Sequence, residues 1–106
     1  SITSDYRIKK NVVTQTDNAV NRINALRPVS YEIQDVGIFK ADGVVREGFI
    51  AHEIAAVIPS AVDGDKDALT EDGSIQPQTL RLDPIVAVLT KAVQELSARV
   101  AALEAA

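Results

Sequence analysis

LDPIVAVLTKAVQELSARVAALEAA, residues 82–106, is the stretch that decides the architecture. Leu82, Asp83 and Pro84 supply in order an apolar residue, a helix-capping acid and a proline at the favoured first helical position. This order predicts a helix that starts at Pro84. Within it Val86, Leu89, Val93, Leu96, Val100 and Leu103 recur by alternate steps of three and four, a heptad with valine at a and leucine at d. Such a stripe requires a partner. Arg99 falls at g and Glu104 at the following e, the offset that pairs opposite charges between parallel neighbours, so a parallel helical bundle is expected. An ordinary amphipathic helix packed on its own domain is the alternative that this pattern leaves open.

Upstream, residues 63–73 are acidic and turn-rich and read as a loop. Before them Ile54, Val57 and Ile58 share one face of a short helix over residues 51–58 that Pro59 ends. Val29, Tyr31 and Ile33 alternate with polar residues, residues 44–50 are again β-prone, and Asp42-Gly43 between them is a turn signal. These features predict a β-hairpin. Val20, Ile23 and Leu26 lie at helical spacing after a capping Thr16 or Asp17, and Pro28 stops that helix after Arg27. At the start of the chain the β-branched Val12, Val13 and Thr14 suggest a short strand behind a polar, basic segment. The expected fold class is α+β: a small region with a hairpin and short helices over residues 1–81, then the helix over residues 82–106, together one domain.

A chain of 106 residues is near the lower limit at which one core supports itself, so help from partner subunits is expected. With 4% aromatic residues and no Trp, Met or Cys, that core is aliphatic. A formal charge of -4 argues against a nucleic-acid surface, which needs clustered Lys and Arg. Lack of cysteine removes disulfides, thiolate metal sites and a cysteine nucleophile. No apolar run approaches the roughly 20 residues that span a bilayer, so the chain reads as soluble, with no membrane partner.

Candidate cofactor motifs fail on inspection. His52 and Glu53 do not open a zinc motif, because Ala56 stands where its second histidine belongs and the chain has one His. Asp63, Asp65 and Asp67 imitate a calcium loop, yet Ala68 replaces its glycine and Ser74 its closing glutamate. No phosphate loop and no nucleophile elbow occur, so neither a metal nor another cofactor is expected.

Three separated blocks carry a resemblance. SDYRIKKNV, residues 4–12, is similar to a pattern of Ser-Asp, one residue, Arg, one residue, Lys and a short apolar segment. GFIAHEIAAVIPSAV, residues 48–62, resembles a Gly-x-Ile-Ala-His/Gln-Glu element with an apolar helix and a Pro-x-Ala-Val exit. Asp72-Gly73, Ile75, Gln76, Gln78 and Leu82-Asp83 then lead into the Ala-Leu-Glu tail. Together they resemble the endosialidase-type intramolecular chaperone, or S74 self-cleaving peptidase domain, of phage tail fibres and tailspikes. The resemblance implies a homotrimer that aids folding of the upstream fibre or spike domain of the same polypeptide and then releases itself. It implies a precursor assembled in the bacterial host cytoplasm. Valine at a with leucine at d by itself favours two strands; the resemblance favours three.

The resemblance also assigns chemistry. Ser4 is the nucleophile and Lys9 its base, which must be neutral when the reaction begins; an unperturbed lysine titrates at about 10.4, so burial or nearby cations such as Arg7 and Lys10 have to lower it. Asp5, Arg7, His52 and Glu53 are supporting candidates, with Arg7, His52 or main-chain amides as oxyanion donors. Without the resemblance, Ser4 and Asp5 read as a cap or turn and Lys9 and Lys10 as solvated charges. Because Ser1, Ile2 and Thr3 precede the nucleophile, the bond cut is either Thr3–Ser4 or the one before Ser1. The rival reading is a non-catalytic trimerisation or receptor-contact tip.

Overall fold

The computed structural model describes residues 2–16 and 18–106. The elements run in order as a 3-10 turn (Tyr6–Ile8), α1 (Ala19–Asn24), β1 (Val29–Tyr31), β2 (Arg46–Gly48), α2 (Ala51–Ala55), a second 3-10 turn (Pro59–Ala61), β3 (Val62–Asp63), β4 (Thr79–Leu80) and α3 (Leu82–Ala105). The fold is α+β, with two small antiparallel sheets, β1-β2 and β3-β4.

α3 organises the rest. Ile85, Val88 and Ala92 on one of its faces are buried in a cluster with Ala19 and Val20 of α1, Ile54 of α2, Ile58 and Ala61. Three of these eight core residues are alanines, which let the elements approach closely but bury little area. The start of α3 is tied down twice. The Arg81 amide donates to Ala61 O at 2.7 Å, and the Arg81 guanidinium forks onto both carboxylate oxygens of Asp63 at 2.8 and 2.9 Å. The helix begins at Leu82, two residues before the expected Pro84, with Arg81 as N-cap and Asp83 inside the first turn. Asp83 is therefore not the cap but an acid placed favourably at the positive end of the helix dipole.

α1 is shorter than its apolar spacing suggests, and its cap is not local. Its N-cap is Asn18, whose side chain makes no capping bond; Asp17, one of the two residues expected to cap, lies outside the described residues. The caps come from α3 instead: Glu95 Oε1 accepts from the Ala19 amide and Oε2 from the Val20 amide, both at 3.0 Å. Two orphan amide donors are thus satisfied by one carboxylate 76 and 75 residues away, and the same contact clamps α1 against α3.

The hairpin pairs Val29 with Gly48, Ser30 with Glu47 and Tyr31 with Arg46. Its reversal is not at Asp42-Gly43. The chain turns at Gly37-Ile38, between Val36 and Phe39, which bridge each other, and Gly37 holds a left-handed φ of 58°. Asp42 instead accepts from the Val44 amide at 3.0 Å and from the Arg46 guanidinium at 3.1 and 2.6 Å. That guanidinium, then the Val44 amide, hold its carboxyl down to about 2. At Gly48 an added Cβ would sit 3.2 Å from Cε1 of the Tyr31 ring, a tight contact that the ring would have to shift to relieve. Residues 63–73 are not all loop: Asp63 pairs with Thr79 in β3-β4, and Leu69 bridges Ile75. Val12, Val13 and Thr14 form no strand.

Two outcomes follow from this packing. Ile54 is 1% exposed, so Ile54→Ala should lower unfolding free energy in denaturant titration by about 3 kcal/mol; a change below about 1 kcal/mol would contradict the core assignment. The Val20 amide, then the Ala19 amide, hold the Glu95 carboxyl below its ordinary value. The stability it contributes is present above the unfolded value of 4.5 and lost as pH falls through the lower folded one. The thermal midpoint of wild type should therefore drop more steeply than that of Glu95→Gln on acidification from about pH 6 to about pH 3, and parallel curves would refute the clamp.

Candidate functional site

Residues 2–16 form an exposed arm ahead of α1, and the chemistry-bearing side chains are gathered within one turn of it. Asp5 is extended, at φ -63° and ψ 132°, and its Oδ1 accepts from the Arg7 amide at 2.9 Å. This opens the 3-10 turn, closed by Ile8 N donating to Asp5 O and Lys9 N to Tyr6 O, both at 3.2 Å. Lys9 then leaves the turn in extended conformation. The reversal carries its side chain back along the arm, where Nζ donates to Ser4 Oγ at 2.6 Å.

Arg7 completes the turn from outside. Its Nε donates to Asp5 Oδ1 at 3.0 Å and Nη2 to Oδ2 at 2.8 Å. The guanidinium, then the Arg7 amide, hold the Asp5 carboxyl below the usual range, and Asp5 raises Arg7 in turn. Two of the guanidinium nitrogens of Arg7, Nε and Nη2, are thereby engaged.

The arrangement presents a hydroxyl in contact with an amine, beside the Thr3–Ser4 peptide. This is the geometry for an activated serine once the amine is neutral, since the hydroxyl proton can then pass to Nζ across the same separation. Both residues are exposed, and among the described residues the polar contacts of residues 4–9 stay within the arm.

His52 and Glu53 are not part of this cluster. Both lie on α2, where Glu53 receives a bidentate pair from Arg27, Nε at 2.9 Å and Nη2 at 2.6 Å. The Arg27 guanidinium holds the Glu53 carboxyl below its ordinary value. The expectation that Glu53 serves the same site as Ser4 meets no contact among the described residues; its partner is Arg27, three residues beyond the end of α1. Nor do the described residues contain a group of three or more His, Asp and Glu side chains arranged for a metal.

A second feature lies on α3. Val86, Leu89, Val93, Leu96, Val100 and Leu103 all face solvent, between 46% and 76% exposed. The domain uses the adjacent stripe, Ile85, Val88 and Ala92, and leaves the heptad uncovered. What the sequence reading missed is this division of one helix into two apolar stripes, together with the Asp5–Arg7 fork. The signal for the fork was present in the order Ser-Asp-x-Arg, where an acid two residues before a basic residue can cap the turn between them.

No curated protein matches the chain. The sequence model of one family, Peptidase_S74, described as chaperone of endosialidase, matches residues 4–63. That span is more than half of the 106-residue chain; it begins at Ser4 and takes in the first two blocks of resemblance, while the third and all of α3 lie beyond it. The chain belongs to the Peptidase_S74 family, chaperone of endosialidase.

Proposed function

We propose that this chain is the C-terminal intramolecular chaperone of a phage tail fibre or tailspike, which trimerises through α3 and then severs itself from its parent at the Thr3–Ser4 bond. The observation that carries the cleavage reading is the 2.6 Å approach of Lys9 Nζ to Ser4 Oγ, at the residue where the family match begins.

In the proposed reaction neutral Lys9 takes the hydroxyl proton as Ser4 Oγ attacks the Thr3 carbonyl carbon. The tetrahedral intermediate collapses with rupture of the Thr3–Ser4 C–N bond, and Lys9 returns the proton to the departing Ser4 nitrogen. The resulting ester between Thr3 and Ser4 Oγ is hydrolysed by water. This leaves a carboxylate on Thr3, a free amine on Ser4 and the hydroxyl restored. The arm is open to water in a single chain, so cover from assembled neighbours or from the upstream fibre would complete the site.

Assembly is supported by surface area. The chain exposes 8374 Å², whereas a folded monomer of 11.3 kDa is expected to expose about 5,700 Å². The excess exceeds the roughly 800 Å² that each partner contributes to a standard interface, and it includes the uncovered heptad. Three copies, as the family resemblance implies, would bury these six positions around one axis with Arg99 and Glu104 at its flanks. Holding three chain ends in register would assist β-rich fibres, whose non-local pairing is slow and exposes strand edges.

In a parent chain that retains the upstream segment, Ser4→Ala, Lys9→Ala and Lys9→Arg should each remain full length by mass spectrometry, while wild type yields a fragment that begins at Ser4. Guanidinium stays protonated and cannot accept the serine proton. A fragment that begins at Ser1, or efficient cleavage of Ser4→Ala, would overturn the assignment; an intact wild-type parent would favour the non-catalytic tip.

Leu96→Asp should abolish assembly in sedimentation analysis, because it places an unpaired charge at the bundle axis. An unchanged oligomer mass would rule out this face.

A further inference from the structure

We propose that Asp5 and Arg7 are positioning residues for the Ser4–Lys9 pair: their fork locks the one turn that brings nucleophile and base together. This inference rests on the self-cleavage reading of the same site.

Neither common backbone form makes the contact. Ser4 and Lys9 are five residues apart; extended chain would separate them by roughly 17 Å, and an α-helix would set them on different faces, since only three- and four-residue separations meet. A single 3-10 turn between extended flanks achieves it, as Asp5 and Lys9 are both extended and Tyr6–Ile8 is the turn.

A lone three-residue turn has little to hold it. Its two closing main-chain bonds are 3.2 Å each, long for N–H···O, and a first turn fixes several dihedrals for few bonds. Asp5 supplies the remainder. Oδ1 takes the Arg7 amide and Nε, and Oδ2 takes Nη2, so one carboxylate binds three donors of a single residue and fixes the turn's second amide and the side chain it carries.

Both oxygens are engaged within this fork, so Asp5 does not act on Lys9 directly. Arg7 also cancels the carboxylate charge, so the turn is capped without an uncompensated anion beside the base. At 41% and 75% side-chain exposure the fork is weak in water and strengthens when the arm is covered.

The test compares Asp5→Ala, Asp5→Asn and Arg7→Ala in the full-length parent. Asp5→Ala removes the acceptor of the Arg7 amide and should slow cleavage by about tenfold, while Asp5→Asn keeps that acceptor but sets an amide NH2 against Arg7 Nη2 in place of Oδ2, and should recover only part of the loss. Adding Arg7→Ala to Asp5→Ala should cost little more, since the two act as one unit. Oligomer mass and thermal midpoint should not change, because the fork does not touch the core. Wild-type cleavage rates in Asp5→Ala, or equal losses in Asp5→Asn and Asp5→Ala, would overturn the proposal.

A second readout does not depend on cleavage. In the released or uncleaved domain, the nuclear Overhauser contact between Ser4 β-protons and Lys9 ε-protons should be present in wild type and Asp5→Asn and lost in Asp5→Ala. An intact wild-type parent would defeat the self-cleavage reading alone, and persistence of that contact in Asp5→Ala would defeat the positioning role.

Discussion

The packing of α3 on α1 is the contact on which the remaining structure depends. Ile85, Val88 and Ala92 face Ala19 and Val20 in the buried cluster, and Glu95 one turn further along clamps the start of α1 through two main-chain amides. Everything downstream of that contact inherits its limits. A core of eight residues, three of them alanine, removes too little apolar surface to cover the chain, and the radius of gyration of 17.9 Å exceeds the roughly 13 Å of a compact domain this size. Exposed large apolar side chains lie on the arm, on the hairpin and on α3. On α3 they form a continuous heptad stripe, the face through which we propose that copies assemble.

The arm obeys a different logic. Its turn is built from neighbours in sequence, Asp5 capping Arg7 and the closing bonds spanning three residues, so the Ser4–Lys9 contact exists without support from the core. What a single chain lacks is exclusion of water from that contact. A site that is locally assembled but solvated is suited to wait until something covers it, and the exposed stripe on α3 offers a route by which copies would gather.

Much of this was legible in the sequence, and the errors fall where contacts between distant residues decide the local structure. The heptad was visible because valine and leucine mark it strongly, whereas the stripe the domain uses was hidden: after Ile85, Val88 and Ala92 it passes into Glu95 and Arg99 and breaks the apolar pattern. The α1 cap could not be read locally, since it comes from Glu95 and not from Thr16. Asp42-Gly43 resembled a hairpin turn, but the register pairing Val29 with Gly48 centres the reversal near Gly37-Ile38. Val12, Val13 and Thr14 have the composition of a strand but lie in the exposed arm and pair with neither sheet. At the site, the cap-or-turn reading holds for Asp5, whose carboxylate caps the turn between Ser4 and Lys9, while the chemical reading of that pair remains a proposal.

We propose that the exposed stripe of α3 joins three copies. Sedimentation equilibrium of the wild-type chain over a wide concentration range tests it most directly. The account predicts a species at three times the 11.3 kDa chain mass that dissociates on dilution. A single species at 11.3 kDa at every concentration would contradict it.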